Sequence, residues 1–249
     1  MVNIKILFPH PALLITNKKK KSIVISDLHI GFEDIILNNK ANIKSSITKM
    51  LDQILILIDK YKPDELIILG DIKYSYKTIS SSEYYLIPQF LSKISDKINV
   101  KIVKGNHDGN IENILPSNIS FESTGFTIDK TYLCHGHTKF PNNLEYVNKI
   151  VMGHLHPRYK QKNNLLNGKQ VWLIFKTNSK LINSDKININ EIIILPSFNT
   201  ELSNITKPQL YGKIISPIVK NLFSSITNVV ILTLSGEIIG GLESIDYVL

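Results

Sequence analysis

Short apolar runs recur along this chain, and several of them stop at a glycine or an aspartate. Ile4 to Phe8 and Ala12 to Thr16 read as two short strands parted by Pro9-His10-Pro11. Ser22 to Ser26 reads as a buried strand that delivers Asp27 and His29 at its carboxyl end. Ile43, Ile47, Met50, Ile54, Ile58 and Tyr61 recur at helical spacing, which predicts an amphipathic helix over Asn42 to Tyr61, stopped by Pro63. Glu65 to Leu69 is the next strand and ends at Gly70-Asp71. A second helix is predicted over Ser82 to Ile94, with a kink or break at Pro88. Val100 to Val103 is a strand that ends at Gly105-Asn106.

Strand, polar motif, helix, strand, polar motif is the rhythm of a parallel βαβ sheet. The second half has a different character. Gly125 to Asp129 and Lys130 to Cys134 form a hairpin pattern that runs into His135, and Lys149 to Met152 runs into Gly153-His154. Further strands are expected at Val171 to Thr177, Glu191 to Leu195, Val229 to Leu234 and Glu237 to Gly241. Asn178 to Asn190 is polar and reads as a loop. Ser197 to Leu222 carries little pattern. The expected fold class is α/β, built as two packed mixed β-sheets flanked by helices. The 249 residues suit one domain, with residues 197–249 as a carboxyl-terminal extension packed on it. Val229 to Leu249 could complete the second sheet or make a homodimer contact.

Composition narrows the setting. No apolar run approaches the length of a membrane span, and the amino terminus lacks a signal-peptide pattern. Cys134 is the one cysteine, so no internal disulfide forms, as suits a reducing interior. A cytoplasmic protein is expected, with no membrane partner. The net charge is +8, almost all of it from lysine, which favours anionic partners and leaves nucleic acid open as one. Lys18 to Lys21 reads as a solvated hairpin turn.

The chemistry is concentrated. Six of the seven histidines fall in short motifs: Asp27-Leu28-His29, Gly105-Asn106-His107-Asp108, His135-Gly136-His137 and Gly153-His154-Leu155-His156. Gly70-Asp71 adds a carboxylate. Carboxylates supply charge and can bridge cations, imidazoles are neutral borderline ligands, and Asn106 offers a neutral carbonyl oxygen. Any one motif alone would be unremarkable. Together, each after an apolar strand, they describe a binuclear metal cage and the hydrolytic chemistry such a cage supports.

This ordered set resembles the calcineurin-like metallophosphoesterase superfamily. Within it, Asp27-Leu28-His29-Ile30-Gly31-Phe32-Glu33, Leu69-Gly70-Asp71-Ile72-Lys73 and Gly153-His154-Leu155-His156-Pro157 most resemble the small archaeal phosphoesterases related to SbcD and their bacterial relatives encoded beside a DNA ligase, the PdeM type. The resemblance runs to Leu195-Pro196-Ser197-Phe198 and implies a four-layer sandwich of the two sheets and their helices. It implies one divalent ion on Asp27, His29, Asp71 and His156 and another on Asp71, Asn106, His135 and His154, with Asp71 bridging. Manganese is the expected metal, with iron, zinc, nickel or magnesium as alternatives. His107 is implied as the catalytic group acting on substrate, with Asp108 orienting it. His135 rather than His137 is the implied ligand, and His137 then either supports the ligands from behind or faces the phosphate.

Arg158, the one arginine among 29 basic residues, lies two positions beyond His156. It is either a fork for a substrate phosphate or a surface residue. Lys73 and Lys104 flank two motifs and either face substrate or are solvated. No interleaved basic and aromatic pattern marks a stacking platform. The expected function is hydrolysis of phosphate esters, foremost as a phosphodiesterase and a nuclease candidate. A phosphomonoesterase acting on nucleotides or phosphoproteins is the alternative. A non-enzymatic scaffold of the same fold ranks last, since no ligand is missing.

Overall fold

A computed structural model describes residues 2–33, 40–141, 144, 146–161, 163–180, 188–204 and 216–248. Two mixed sheets face each other. The first has the order β1 (Asn3–Ile6), β2 (Leu13–Thr16), β3 (Lys21–Ile25), β4 (Glu65–Leu69), β5 (Asn99–Val103) and β6 (Ser120–Glu122). Strands β3 to β6 run parallel, while β1 and β2 add an antiparallel edge. Helices α1 (Lys40–Tyr61) and α2 (Ser81–Ser95) are the βα crossovers of this sheet.

The second sheet contains β7 (Phe126–Ile128), β8 (Thr131–Cys134), β9 (Lys149–Met152), β10 (Val171–Lys180), β11 (Asn188–Ile194), β12 (Ile226–Thr233) and β13 (Ile238–Gly240). Their spatial order is β13-β12-β10-β11-β9-β8-β7. Only β8, β9 and β11 pair in parallel.

The strand sequences are nearly continuous in Ile, Leu and Val because both faces are covered. Alternate residues go to opposite sides. In β4, Leu66 and Ile68 pack outward with Met50, Ile54 and Leu57 of α1 and Ile87, Leu91 and Ile94 of α2. Ile67 and Leu69 point inward, into a core between the sheets shared with Leu133, Val151, Trp172 and Ile193. Tyr132 and Cys134 of β8 and Ile150 and Met152 of β9 face the outer side of the second sheet. There they meet Ile218, Val219 and Leu222 of a short helix α3 (Pro217–Leu222). Helix, sheet, sheet, helix is the four-layer arrangement. Each fully buried aliphatic side chain in these layers contributes about 1.5–3 kcal/mol.

The structure departs from the sequence expectations in three places. Helix α2 continues through Pro88 without a break. The ring removes one backbone bond, but Ile87, Phe90, Leu91 and Ile94 are buried on one face and hold the turn in place. Strand β6 comes from a segment with no strand expected, and its backbone completes the parallel edge beside β5. The polar stretch read as a loop over Asn178 to Asn190 is largely strand at both ends, because the backbones of Ser179 and Lys180 pair with Ile189 and Asn188. Residues 181–187 of that stretch, and 205–215 of the pattern-poor segment after Ser197, lie outside the described residues.

The segment from 216 onward is tied to the rest at several points, among them the Lys160 N–H donating to the Tyr247 carbonyl at 2.7 Å. β12 pairs antiparallel with β10. The buried Ser216 hydroxyl, which caps α3, donates to the Gly136 carbonyl at 2.8 Å. No described helix is long and apolar enough to cross a membrane.

Candidate metal centre

Five parallel strands end at one place. β3, β4 and β5 of the first sheet and β8 and β9 of the second finish beside each other, and each is followed within a few residues by Asp27, Asp71, Asn106, His135 or His154. Loops at the carboxyl ends of such strands converge on one crevice.

The loops are locked by unusual backbone. Among the described residues, ten other than glycine have positive φ, and five of these are Asp27, His29, Asp71, His154 and His156. Left-handed backbone at such residues is strained and persists where the surroundings enforce it. Here the first two loops hydrogen-bond past the end of the sheet: Asp27 N to Gly70 O at 3.0 Å, His29 N to Asp71 O at 2.9 Å and Ile30 N to Ile72 O at 2.7 Å. Glycine is demanded where backbones touch. A Cβ on Gly70, whose φ is +78°, would lie 2.7 Å from Gly105 Cα and from His135 Nδ1. One on Gly105 would overlap the Asp71 carboxylate.

Two groups of donor atoms result. Asp27, His29, Asp71 and His156 each offer an atom within 4.8 Å of the others, and so do Asp71, His135 and His154. Asp71 belongs to both. Within the first group, His156 Nε2 lies 2.9 Å from Asp27 Oδ1, and His29 Nε2 lies 3.5 Å from Asp71 Oδ2 and 3.1 Å from His156 Nε2. In the second, His135 Nε2 is 3.3 Å from Asp71 Oδ2 and 3.1 Å from Asn106 Oδ1. Asn106 therefore joins the second group.

These residues fit two cations on three grounds. First, Asp27 and Asp71 are buried, and their only ion-pair partners among the described residues are imidazoles. Buried carboxylates call for a compensating positive charge. Second, His135 points a ring lone pair inward. His135 Nδ1–H donates to the Leu69 carbonyl at 2.7 Å, which leaves Nε2 free to ligate. Third, two of the imidazoles, His29 and His154, are held neutral. Burial pushes His29 down to about 3 and His154 down to about 3. Burial also opposes charge on His135, but the Asp71 and Asp27 carboxylates outweigh it and raise the ring to about 9. A cation between His135 and those carboxylates would take the place of that proton.

His107 sits against this centre. Its ring is 4.9 Å from the His29 ring at 90°, and its backbone N–H donates to Asp71 Oδ1 at 2.8 Å. Its Nδ1–H donates to the Tyr74 carbonyl, so Nε2 is the free nitrogen. The expectation that Asp108 orients this ring is corrected. The Asp108 carboxylate is fully buried and accepts from the backbone N–H groups of Gly105, Asp71 and Ile72, each at 2.8 Å. It pins the loop after β5 to the loop after β4, and the Tyr74 carbonyl holds His107. Asp108→Asn would aim an amide donor at these donors. It is expected to cost about 1–3 kcal/mol of stability and to weaken metal binding. Thermal unfolding checks this, and an unchanged melting temperature would contradict it.

The remaining sequence candidates fall in different places. His137 is outside both donor groups, with its ring 5.2 Å from His135 and 6.1 Å from His154. Its Nδ1 is buried without a hydrogen-bond partner, and burial pushes the ring down to about 4. Arg158 is buried rather than on the surface, at 8% exposure, and its Nη2 has no partner. Lys73 does not face substrate: it is fully buried, and Nζ donates to the carbonyls of Ser75 and Thr78. Lys104 lies 3.5 Å from Glu112 and is partly exposed.

Sequence reasoning missed the residues that brace the Asp27 loop. The Ser197 hydroxyl donates to the Asp27 carbonyl at 2.7 Å, and Asn199 Nδ2 donates to the Leu28 carbonyl at 2.9 Å. Both are buried. The signal available was small polar residues directly following a buried strand.

Comparison with known proteins agrees with this geometry. The profile of the calcineurin-like phosphoesterase family matches residues 20–193, and the chain belongs to that family. No curated protein matches the sequence. Among solved structures, a nuclease MPE from Pseudomonas putida superposes with a TM-score of 0.55 at 15% identity, covering 94% of this chain and 98% of that one. YfcE, a phosphoesterase from E. coli, gives 0.41 at 17% identity, covering 90% and 98%. At such identity the first likeness is one of fold. The chain is thus a metallophosphoesterase with two His/Asp clusters at the carboxyl ends of its strands.

Proposed function

We propose that this chain is a binuclear-metal phosphodiesterase whose substrates are nucleic acids or nucleotide diesters. One observation carries the reading: two donor groups share Asp71, and His107 stands beside them with Nε2 free. The net charge of +8 supports a polyanionic substrate, and the fold likeness to the Pseudomonas putida nuclease MPE is in keeping with it. The closer kinship proposed is with the SbcD-related phosphoesterases, and residues 197–249 are taken as part of the same domain.

In this reading Asp27, His29, Asp71 and His156 hold one ion, and Asp71, Asn106, His135 and His154 hold the other. Bound divalent ions, manganese foremost, acidify water and polarise phosphate oxygens. The neutral Asn106 and the histidines keep the total negative charge low enough for a phosphate to enter. His107 holds a proton at Nε2 and delivers it to the departing oxygen, with the Tyr74 carbonyl fixing the ring. His137 faces the phosphate.

Arg158 contributes an anion site. Among the described residues its guanidinium has no carboxylate partner, and a buried cation without one is costly until an anion arrives. Arg158→Lys is expected to raise KM for a diester about tenfold or more, because an ammonium cannot reproduce the fork. Steady-state kinetics read this, and wild-type KM in the variant would remove Arg158 from the site.

A substrate panel with added manganese tests the function: a chromogenic diester, a chromogenic monoester, cyclic nucleotides and labelled DNA. Cleavage of diesters without the monoester supports the proposal. The reverse pattern replaces it with a monoesterase. Full metal occupancy without any hydrolysis would leave the scaffold reading.

A further inference from the structure

Two tyrosines flank His107 on one short loop. The Tyr74 ring is half-buried, 6.0 Å from the His107 ring, 5.9 Å from His29 and 6.4 Å from Phe32. The Tyr76 ring lies 5.4 Å from His107 at 88°, edge to face. Yet Tyr76 is 59% exposed.

The loop that presents Tyr76 is not held by chance contacts. Glu83 of α2, fully buried, accepts from the backbone N–H groups of Tyr74 at 3.0 Å, Ser75 at 2.7 Å and Ser80 at 2.7 Å. The last of these belongs to the capping box that starts α2. Lys73, also fully buried, donates to Ser75 and Thr78 from inside the same loop. Burying a carboxylate and an ammonium is expensive unless their hydrogen bonds are complete. Here both side chains spend those bonds on fixing residues 74 to 80. The result is a braced loop that leaves the Tyr76 ring largely exposed at the side of the proton donor.

Isolated exposed aromatic rings are common and need no role. This one differs because it touches the residue assigned to protonate the leaving group and because two buried charges brace the loop that carries it. A flat apolar surface there suits a flat apolar group on the departing alcohol. We propose that Tyr76 stacks a nucleobase carried by the leaving side of the substrate, so that the chain selects diesters with a base next to the scissile bond. This deepens the phosphodiesterase reading above and rests on it.

The test uses the full-length, manganese-loaded protein and three dinucleotides: two linked thymidines, and the same molecule with an abasic residue on one side or on the other. Products are separated by chromatography, which also identifies the side that leaves. The wild type is expected to show a KM about tenfold higher when the leaving side is abasic, the size of one base–aromatic stack. In Tyr76→Ala that preference should collapse to near unity through KM, with kcat changed less than KM. Tyr76→Phe, which keeps the ring, should retain it. Circular dichroism verifies that both variants fold. A wild type indifferent to the missing base, or a Tyr76→Ala variant that keeps the full preference, overturns the assignment. If the wild type hydrolyses a chromogenic diester but neither prefers nor cleaves the base-bearing dinucleotide, the stacking role falls and the diesterase reading stands. If no diester is hydrolysed, both fall.

Discussion

His107→Ala is expected to bind metal as the wild type does and to lose about a hundred- to ten-thousand-fold in turnover, the range a positioned general acid supplies. The separation of the two effects follows from the geometry. The His107 side chain lies outside both donor groups, while its backbone N–H, which the substitution keeps, is the group that braces Asp71. The loss should depend on the leaving group. An alkoxide needs a proton as the bond to phosphorus breaks, whereas a nitrophenolate departs nearly unaided. The deficit should therefore be large for a dinucleotide and small for a nitrophenyl diester. Rates on both substrates, with metal content measured on the same preparations, check this. Wild-type turnover of the dinucleotide would remove the acid role.

Asp71→Ala should be the most damaging change at a ligand, because Asp71 alone belongs to both groups. Its loss leaves the second group with Asn106, His135 and His154, all neutral donors. The first keeps Asp27 as its single carboxylate. The second ion should be lost and the first weakened, with turnover below detection. Stability supplies an independent readout. A ligand that binds only the folded state raises the unfolding free energy, by about 4 kcal/mol at a thousand times its Kd. Manganese should raise the melting temperature of the wild type clearly and that of Asp71→Ala little. An Asp71→Ala protein that retains two ions per chain would show that the carboxylate does not bridge.

How far the sequence led depends on what kind of information each feature needs. Strand positions were legible because a strand covered on both faces is apolar along nearly its whole length, as at residues 66–69 and 150–152. The donor residues were legible because their chemistry is local: an aspartate or histidine after such a strand has few other uses. The job of Asp108 was not legible. Two of its partners are backbone amides in a loop 37 and 36 residues away, and backbone amides leave no mark in a sequence. The same holds for Lys73, which read as substrate-facing or solvated, and for Glu83: the charged side chains of both bond to main chain inside the fold. Strand β6 and the polar end of β10 owe their conformation to the neighbouring strand, so their own residues carried no signal. Tyr76 looked like one tyrosine among ten, and only the folded loop sets it against His107.

The central claim is that two ions share Asp71 between the groups around His29 and His135. Crystals grown with manganese, measured by anomalous scattering near its absorption edge, test it directly. The account predicts two peaks about 3.5–4 Å apart, one on either side of the Asp71 carboxylate. A single peak, or peaks away from Asp71, would contradict it.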